Sequence, residues 1–182
     1  MAGVVGLLDD YINIKGDGKG VAGLRSKIKF LLIAGVALIC GWWFFAKLDI
    51  NSFYFPGLGD ITIGWLIIPL FMLVVISTAN AVNISDGLDG LAGGLLATAF
   101  SAYAVIALLQ GRYGVAAFCM TVVGSLLAYV WFNIYPARFF MGDVGSFSLG
   151  MALGVVAMIT DTLVLLPVIG LVFVAEAGSV IL

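Results

Sequence analysis

Histidine is absent from this 182-residue sequence, and charged residues are scarce, at 10% of the chain. Soluble domains carry about 25% charged residues and roughly 45–50% apolar ones, whereas 63% of this chain is hydrophobic. Uncharged stretches of about 20 residues recur along it, and that length lets a helix cross a hydrocarbon core roughly 30 Å thick. The shortage of charge therefore excludes a soluble domain and predicts an integral membrane protein.

Cysteine is almost as rare. Cys40 and Cys119 both lie inside apolar runs, and their spacing suits neither a metal site nor a disulfide. We interpret both as packing residues. The amino terminus lacks the basic segment and small-residue cleavage site of a secretory signal. Both ends of the chain are apolar, so we expect one integral membrane domain, residues 1–182, that is truncated at both ends relative to a longer protein.

The apolar runs predict an all-α fold: a polytopic membrane helix bundle with about six complete spans plus the end of another at 1–8. The predicted spans are 28–46, 61–82, 91–110, 114–133, 145–160 and 163–182. Between them we expect a basic loop at 9–27, a polar segment at 47–60 and short turns near 84–90, 111–113, 134–143 and 161–162.

The charges of the connections predict their sidedness. If spans alternate in direction, 9–27, 84–90 and 134–143 share one side of the membrane. That side carries Lys15, Lys19, Arg25, Lys27, Lys29 and Arg138. The other side carries Lys47 and Arg112. Because short cytoplasmic loops are enriched in Lys and Arg, the first side is predicted to be cytoplasmic.

Acidic residues cluster on the same side, at the ends of predicted spans. They lie in "LLDDY", "SDGLDG" and "FMGDVGS" and are Asp9, Asp10, Asp86, Asp89 and Asp143. Converging carboxylates repel one another unless a cation lies among them, and Mg²⁺ prefers oxygen ligands together with substrate phosphates. The alternatives are carboxylates solvated at the headgroup boundary, or ion sites of a cation transporter, which would place the acids near mid-membrane. We favour a magnesium site at the cytoplasmic end.

The stretch "NAVNISDGLDGLAGG" (80–94) cannot present all its polar side chains to one ligand. Asn83 and Asp86 share a helix face, but Asn80 and Asp89 are about half a turn out of phase at 3.6 residues per turn. We therefore expect Gly87 to break the helix, leaving Asp86 and Asp89 in a loop. Asp143 is predicted to precede a helix near 145, whose N-terminal dipole favours an anion.

Together, "DDY" (9–11), "NAVNISDGLDGLAGG" (80–94) and "FMGDVGS" (140–146) resemble the motifs of the polyprenyl-phosphate N-acetylhexosamine-1-phosphate transferases. They look most similar to the bacterial branch of phospho-N-acetylmuramoyl-pentapeptide transferases. "GLVFVAEAGSVIL" (170–182) is also similar to a late helix of that branch, whereas Asn13 stands where the family usually has lysine.

The resemblance implies transfer of phospho-N-acetylmuramoyl-pentapeptide from its UDP donor to undecaprenyl phosphate, giving lipid I and UMP for peptidoglycan synthesis. It implies Mg²⁺ as the cofactor and a multi-pass protein of the bacterial inner membrane, with its site on the cytoplasmic face. The implied partners are both substrates, the lipid bilayer and, as a candidate, a second copy of the chain; no nucleic acid is expected. The implied roles are catalytic for Asp9 and Asp10, metal-binding for Asn83 and Asp143, and substrate-binding for Asp86, Asp89, Asn133 and Phe140.

Several alternatives stay open. A sister transferase would move a different UDP-N-acetylhexosamine phosphate, for O-antigen or teichoic acid, and an inactive fragment is a further interpretation. Phe140 is a candidate for stacking on uracil, or else a lipid-facing aromatic at the interface. Glu176 lies within the last predicted span, where an ionisable residue is a functional candidate by default; we favour a structural role for it.

Overall fold

The computed structural model describes residues 1–15 and 26–181, so Asp17, Lys19 and Arg25 lie outside the described residues. Within that part, eight α-helices and one short hairpin follow one another. The helices are α1 (Ala2–Lys15), α2 (Ser26–Leu48), α3 (Ile67–Ser85), α4 (Leu91–Leu109), α5 (Tyr113–Asn133), α6 (Gly142–Ile159), α7 (Leu166–Ile169) and α8 (Leu171–Ile181). The strands are β1 (Ser52–Phe55) and β2 (Gly59–Thr62), and short 3₁₀ turns precede α3 and α7. The all-α membrane bundle is confirmed.

Five of the described helices are long and apolar enough to cross a membrane: Lys27–Leu48, Gly64–Ser85, Leu91–Leu109, Tyr113–Asn133 and Gly142–Ile159. The sixth predicted span, 163–182, is not one continuous helix. Its two parts, Leu163–Ile169 and Leu171–Val180, meet at an angle of 71°. The break falls at Gly170, the C-cap of α7.

The first helix is longer than predicted. The sequence assigned residues from 9 onward to a loop, but α1 continues through "DDY" to Lys15. No glycine or proline interrupts 9–15, and Lys15 in the last turn is favourable at the negative end of the helix dipole. Asp9 and Asp10 are therefore held on a helix.

The polar segment after α2 contains a hairpin that the sequence did not predict. Ser52 pairs with Thr62 and Phe55 with Gly59 in antiparallel register. The turn uses Gly57 at φ 92° and Gly59 at φ 80°, left-handed values that favour glycine. Because β2 takes residues up to Thr62, the second span begins later than the predicted residue 61.

Helices α3 and α6 form the centre of the bundle. Both contribute to two buried clusters, one shared with α1 and α2 and the other with α4, α5 and α8. The two helices approach closely because Gly150 lies directly against the backbone of α3; a Cβ there would be 2.7 Å from the Cα of Ala79. Small residues at such contacts are the usual basis of close helix packing in membranes.

The connections between the helices lie at the two ends of the bundle. At one end, the hairpin meets the turn after α6, where the Tyr54 N–H donates to Asp161 Oδ1 at 2.8 Å. The turn between α4 and α5 joins them, since Gln110 Nε2 donates to the carbonyl oxygen of Thr160 at 2.8 Å. The three acidic motifs lie at the opposite end.

Candidate active site

Carboxylates from α1 and α6 meet at the motif end of the bundle. One carboxylate oxygen from each of Asp9, Asp10 and Asp143 lies within 4.8 Å of the others. Asp9 is buried, whereas Asp10 and Asp143 are partly exposed. The structure thus joins two motifs that are more than 130 residues apart in sequence, as the Val144–Asp10 pair at a separation of 134 also shows.

A lysine lies among these carboxylates. Lys29 Nζ, from the first turns of α2, is 2.8 Å from Asp9 Oδ2 and also contacts Asp143 Oδ2. Its side chain is 24% exposed, and its ammonium group lies over the ring of Phe147, 5.5 Å from the centroid. The lysine therefore offsets part of the negative charge that the three acids bring together.

Asn83 connects the second motif to the same cluster. Its Nδ2 donates to Asp143 Oδ1 at 2.7 Å and to Ser146 Oγ at 2.9 Å. In this arrangement the amide orients the Asp143 carboxylate, and rotation of the amide would turn its oxygen toward a cation. Asn80 is exposed and donates to the carbonyl oxygen of Ile76 in its own helix. The predicted division of the polar stretch is confirmed.

The first turn of α6 is bound by carboxylates from two other elements. The Gly142 N–H donates to Asp86 Oδ2 at 3.0 Å, and the Val144 N–H donates to Asp10 Oδ2 at 3.3 Å. The prediction of a helix opening near 145 was wrong, because α6 begins at Gly142. Asp143 is therefore in the first turn of α6 and not before it, and the N–H groups of Gly142 and Val144 in that turn are bound by carboxylates of the protein.

Asp86 caps α3 and stands at the start of the turn 86–90, as predicted. Burial raises the pKa of Asp86, although the N–H groups of Gly142 and Met141 oppose that effect by stabilising the carboxylate. Asp86 is not one of the three acids of the cluster. Because its carboxylate accepts the Gly142 N–H, it instead fixes the end of α6, the helix that carries Asp143.

Asn133 and Asp89 hold the loops beside the site. Asn133 is buried; its Oδ1 accepts the Gly90 N–H, and its Nδ2 donates to the carbonyl oxygen of Phe139, both at 2.9 Å. Asp89 Oδ2 accepts the Ala137 N–H at 3.0 Å. Both side chains thus join the turn 86–90 to the segment 134–141. Phe140, in that segment, is 46% exposed.

Three side chains at the site were not singled out from the sequence. Ser146 ends the motif "FMGDVGS" (140–146) but was given no role of its own. Tyr129 sits in an apolar helix and gave no distinguishing signal; its hydroxyl lies beside Asp86. Lys29 was treated only as one of several basic residues that set topology or steer a polyanionic substrate, with no place in the site itself. Its position inside the predicted span 28–46 could have marked it as a candidate site residue, because ionisable residues within spans are functional candidates.

The donor set fits a divalent cation. Mg²⁺ takes oxygen ligands at 2.0–2.1 Å and is held by one or two carboxylates plus substrate phosphates. The cluster offers three carboxylates within 4.8 Å of one another, and it already attracts the ammonium group of Lys29. Asp9, Asp10 and Asp143 could therefore hold such an ion between them, with Asn83 beside Asp143.

These features define a class: a polytopic membrane protein with an acidic site, suited to a divalent cation, at one end of its helix bundle. The chain belongs to glycosyl transferase family 4, whose model matches residues 1–161. This confirms the kinship expected from the three motifs.

Individual relatives agree with the family match. The phospho-N-acetylmuramoyl-pentapeptide-transferase of Chloroflexus aggregans is 40% identical over 186 residues, covering 98% of this chain and 51% of that protein. The protein of the same name from Geobacillus kaustophilus is 44% identical over 188 residues, covering 99% of this chain and 55% of that one. The chain thus spans about half the length of the curated relatives it matches.

Proposed function

We propose that the complete protein transfers phospho-N-acetylmuramoyl-pentapeptide from its UDP donor to undecaprenyl phosphate, giving lipid I and UMP. The observation that carries the proposal is the convergence of the three motifs on one acidic site in a chain of this family. The relatives' names support the choice of donor. A homodimer stays a prediction.

We propose Mg²⁺ as the metal, held by Asp143 with Asn83 as a further ligand. When bound, it supplies positive charge to the donor's pyrophosphate and to the departing UMP. The protein's own contribution is positioning, because the Asp143 carboxylate is fixed by Asn83 and by its place in the first turn of α6.

The two aspartates of the first motif, Asp9 and Asp10, are proposed to have different roles. Asp10 is the more exposed of the pair and faces the substrate, where it accepts the proton of the acceptor phosphate or orients that phosphate. An oxygen of the lipid phosphate bonds to the sugar-linked phosphorus of the donor as the bond from that phosphorus to UMP breaks. Asp9 is buried and holds Lys29.

The nucleotide and sugar are proposed to lie against the two loops beside the site. Asp86, Asp89 and Asn133 shape these loops through the bonds described above. Phe140 is proposed to stack on uracil because its half-exposed ring lies two residues before the start of α6. Aromatic rings stack on bases with about 1–3 kcal/mol per base.

A groove on the membrane side of the bundle supports a lipid acceptor. It has a volume of about 530 Å³ and runs between α3, α6 and the bent α7–α8 pair. Its lining is apolar and includes Leu73, Phe173 and Val82, which neighbours Asn83 in sequence. An isoprenoid chain matches such a lining, and its phosphate would lie at the motif end.

The charges support placing the site on the cytoplasmic face of the bacterial inner membrane. Lys15, Lys27, Lys29 and Arg138 lie at the motif end, against Lys47 and Arg112 at the other. Asp143 lies in the first turn of α6 and Asp86 caps the end of α3. These positions also disfavour the cation transporter, which needs carboxylates near mid-membrane.

The test is release of UMP by the complete polypeptide in nanodiscs, supplied with UDP-MurNAc-pentapeptide, undecaprenyl phosphate and Mg²⁺. We expect Asp143→Asn and Asp9→Asn to abolish turnover, because each removes a charge from the site while preserving shape. Asp60→Asn is the matched control, since Asp60 is an exposed acid on the hairpin at the other end; it should retain wild-type turnover.

Unchanged turnover in either site variant would contradict the residue assignment. Turnover with UDP-N-acetylglucosamine and none with the muramoyl donor would move the protein to the sister transferases. No turnover with either donor, in a protein that is folded and inserted, would favour an inactive chain.

A further inference from the structure

Lys29 lies between two of the carboxylates that could hold a metal ion. Its Nζ contacts Asp9 Oδ2 and Asp143 Oδ2, which belong to two different helices. Asp143 Oδ1 accepts from Asn83, so the Lys29 contact takes the other oxygen of that carboxylate. An ion at 2.0–2.1 Å from Asp143 Oδ2 and an ammonium group on the same oxygen would compete for one position between the acids.

The formal charges of the cluster are compatible with replacement of the ammonium group by a metal ion at Asp143. Three carboxylates and one ammonium group carry a formal charge of −2. A divalent cation added to the same set brings the formal charge to zero. Lys29 therefore stabilises the metal-free arrangement only in part, and a metal ion is still attracted.

We infer that Lys29 is a tethered counter-cation of the metal site: its ammonium group bridges Asp9 and Asp143 in the metal-free protein and leaves Asp143 when a divalent cation binds. This inference rests on the proposed function, because it takes the acidic cluster to be the metal site. The freed ammonium stays near the site through Asp9 and the ring of Phe147. Lysine is a common phosphate ligand, so the displaced group becomes available to a substrate phosphate as the metal arrives.

The first experiment measures the affinity of the complete polypeptide in nanodiscs for Mn²⁺, by electron paramagnetic resonance. Lys29→Met removes the competing charge, so Mn²⁺ should bind roughly tenfold more tightly, the scale of one partly buried charge-assisted bond. Lys29→Arg keeps the charge and should stay near wild type. Lys27→Met is the matched control: Lys27 is exposed and lies two residues earlier on the same helix, and its removal should leave the affinity unchanged.

A purely structural lysine would give a different result. If Lys29 only held α2 against α1 and α6, its removal would loosen the acids, and Mn²⁺ affinity would fall or stay the same. Either result overturns the inference. The metal site itself is checked separately, because Asp143→Asn should abolish Mn²⁺ binding; a wild-type protein that binds no Mn²⁺ refutes the site, and the inference with it.

A second experiment needs no variant and so does not depend on the folding of one. The complete wild-type protein is treated with an amine-reactive acylating reagent with and without Mg²⁺, and the modification of Lys29 is compared with that of Lys27 by mass spectrometry. Displacement predicts that Mg²⁺ increases the modification of Lys29 several-fold relative to Lys27. An unchanged or decreased ratio in a protein that binds the metal overturns the inference.

Discussion

Gly6 offers the sharpest test of how the site is assembled. A Cβ atom at this position would lie 2.4 Å from the carbonyl oxygen of Asp143 and 2.6 Å from the nitrogen of Val144. Ordinary contacts begin near 3.4 Å, so a Gly6→Ala variant must move α1 and α6 apart by about 1 Å. Asp9 and Asp10 follow Gly6 by three and four residues and therefore lie on the same face of α1.

The shift would separate Asp9 and Asp10 from Asp143. A displacement of about 1 Å at a reacting centre lowers turnover on the order of 100-fold, and overpacking costs about 1–3 kcal/mol of stability. We expect both losses in Gly6→Ala, measured as UMP release and as the thermal unfolding midpoint in nanodiscs. We also expect weaker Mn²⁺ binding.

Gly3→Ala is the matched control on the same helix. Its Cβ would lie 3.6 Å from Ser148 Cβ and 3.6 Å from the carbonyl oxygen of Val144, which is ordinary contact. This variant should keep wild-type turnover. The reasoning would be refuted by a Gly6→Ala protein that turns over and binds Mn²⁺ like the wild type, or by equal losses in both variants.

Two further predictions concern the loops and the bundle centre. Asn133→Ala should lower the unfolding free energy by about 1–3 kcal/mol, because it leaves the partly buried Gly90 N–H and the carbonyl oxygen of Phe139 unpaired. Asn80→Ala, which removes an exposed amide, should be near neutral. Equal unfolding midpoints for the two variants would contradict this. Gly150→Ala should cost about 1–3 kcal/mol by forcing α6 from α3, whereas Gly124→Ala, where a Cβ meets nothing within 4 Å, should be tolerated. A stable Gly150→Ala protein in a thermal unfolding assay would show that the two helices are not in close contact.

Several parts of the fold followed from the sequence because they depend on one-dimensional properties. The spans at 91–110 and 114–133 agree with α4 and α5 to within a residue at each end, since helix length in a membrane follows from the length of the apolar run. The break after α3 was likewise visible in Gly87 and in the phase of the polar residues. The hairpin and the bend at Gly170 were missed, because a short polar segment and a single glycine within an apolar run are each compatible with several conformations.

The site residues likewise divide into those whose position the sequence predicted and those whose position it did not. Membership of Asp9, Asp10 and Asp143 in one cluster was predicted because alternating spans bring their motifs to one end. The inward position of Asn133 was not predictable, since α5 is apolar on all sides and its sequence does not indicate a buried face.

By itself, then, the sequence determined that the chain is a membrane bundle, that five of its apolar runs are long enough to cross a membrane, and that three acidic motifs share one end. These properties follow from hydropathy, length and alternation. Only the tertiary structure decided which atoms pair: Lys29 with Asp9 and Asp143, Asn83 with Asp143, and Gly6 against the first turn of α6. The physical reason is that such pairings depend on the rotation and separation of helices, which apolar surfaces on all sides leave unspecified until the helices pack.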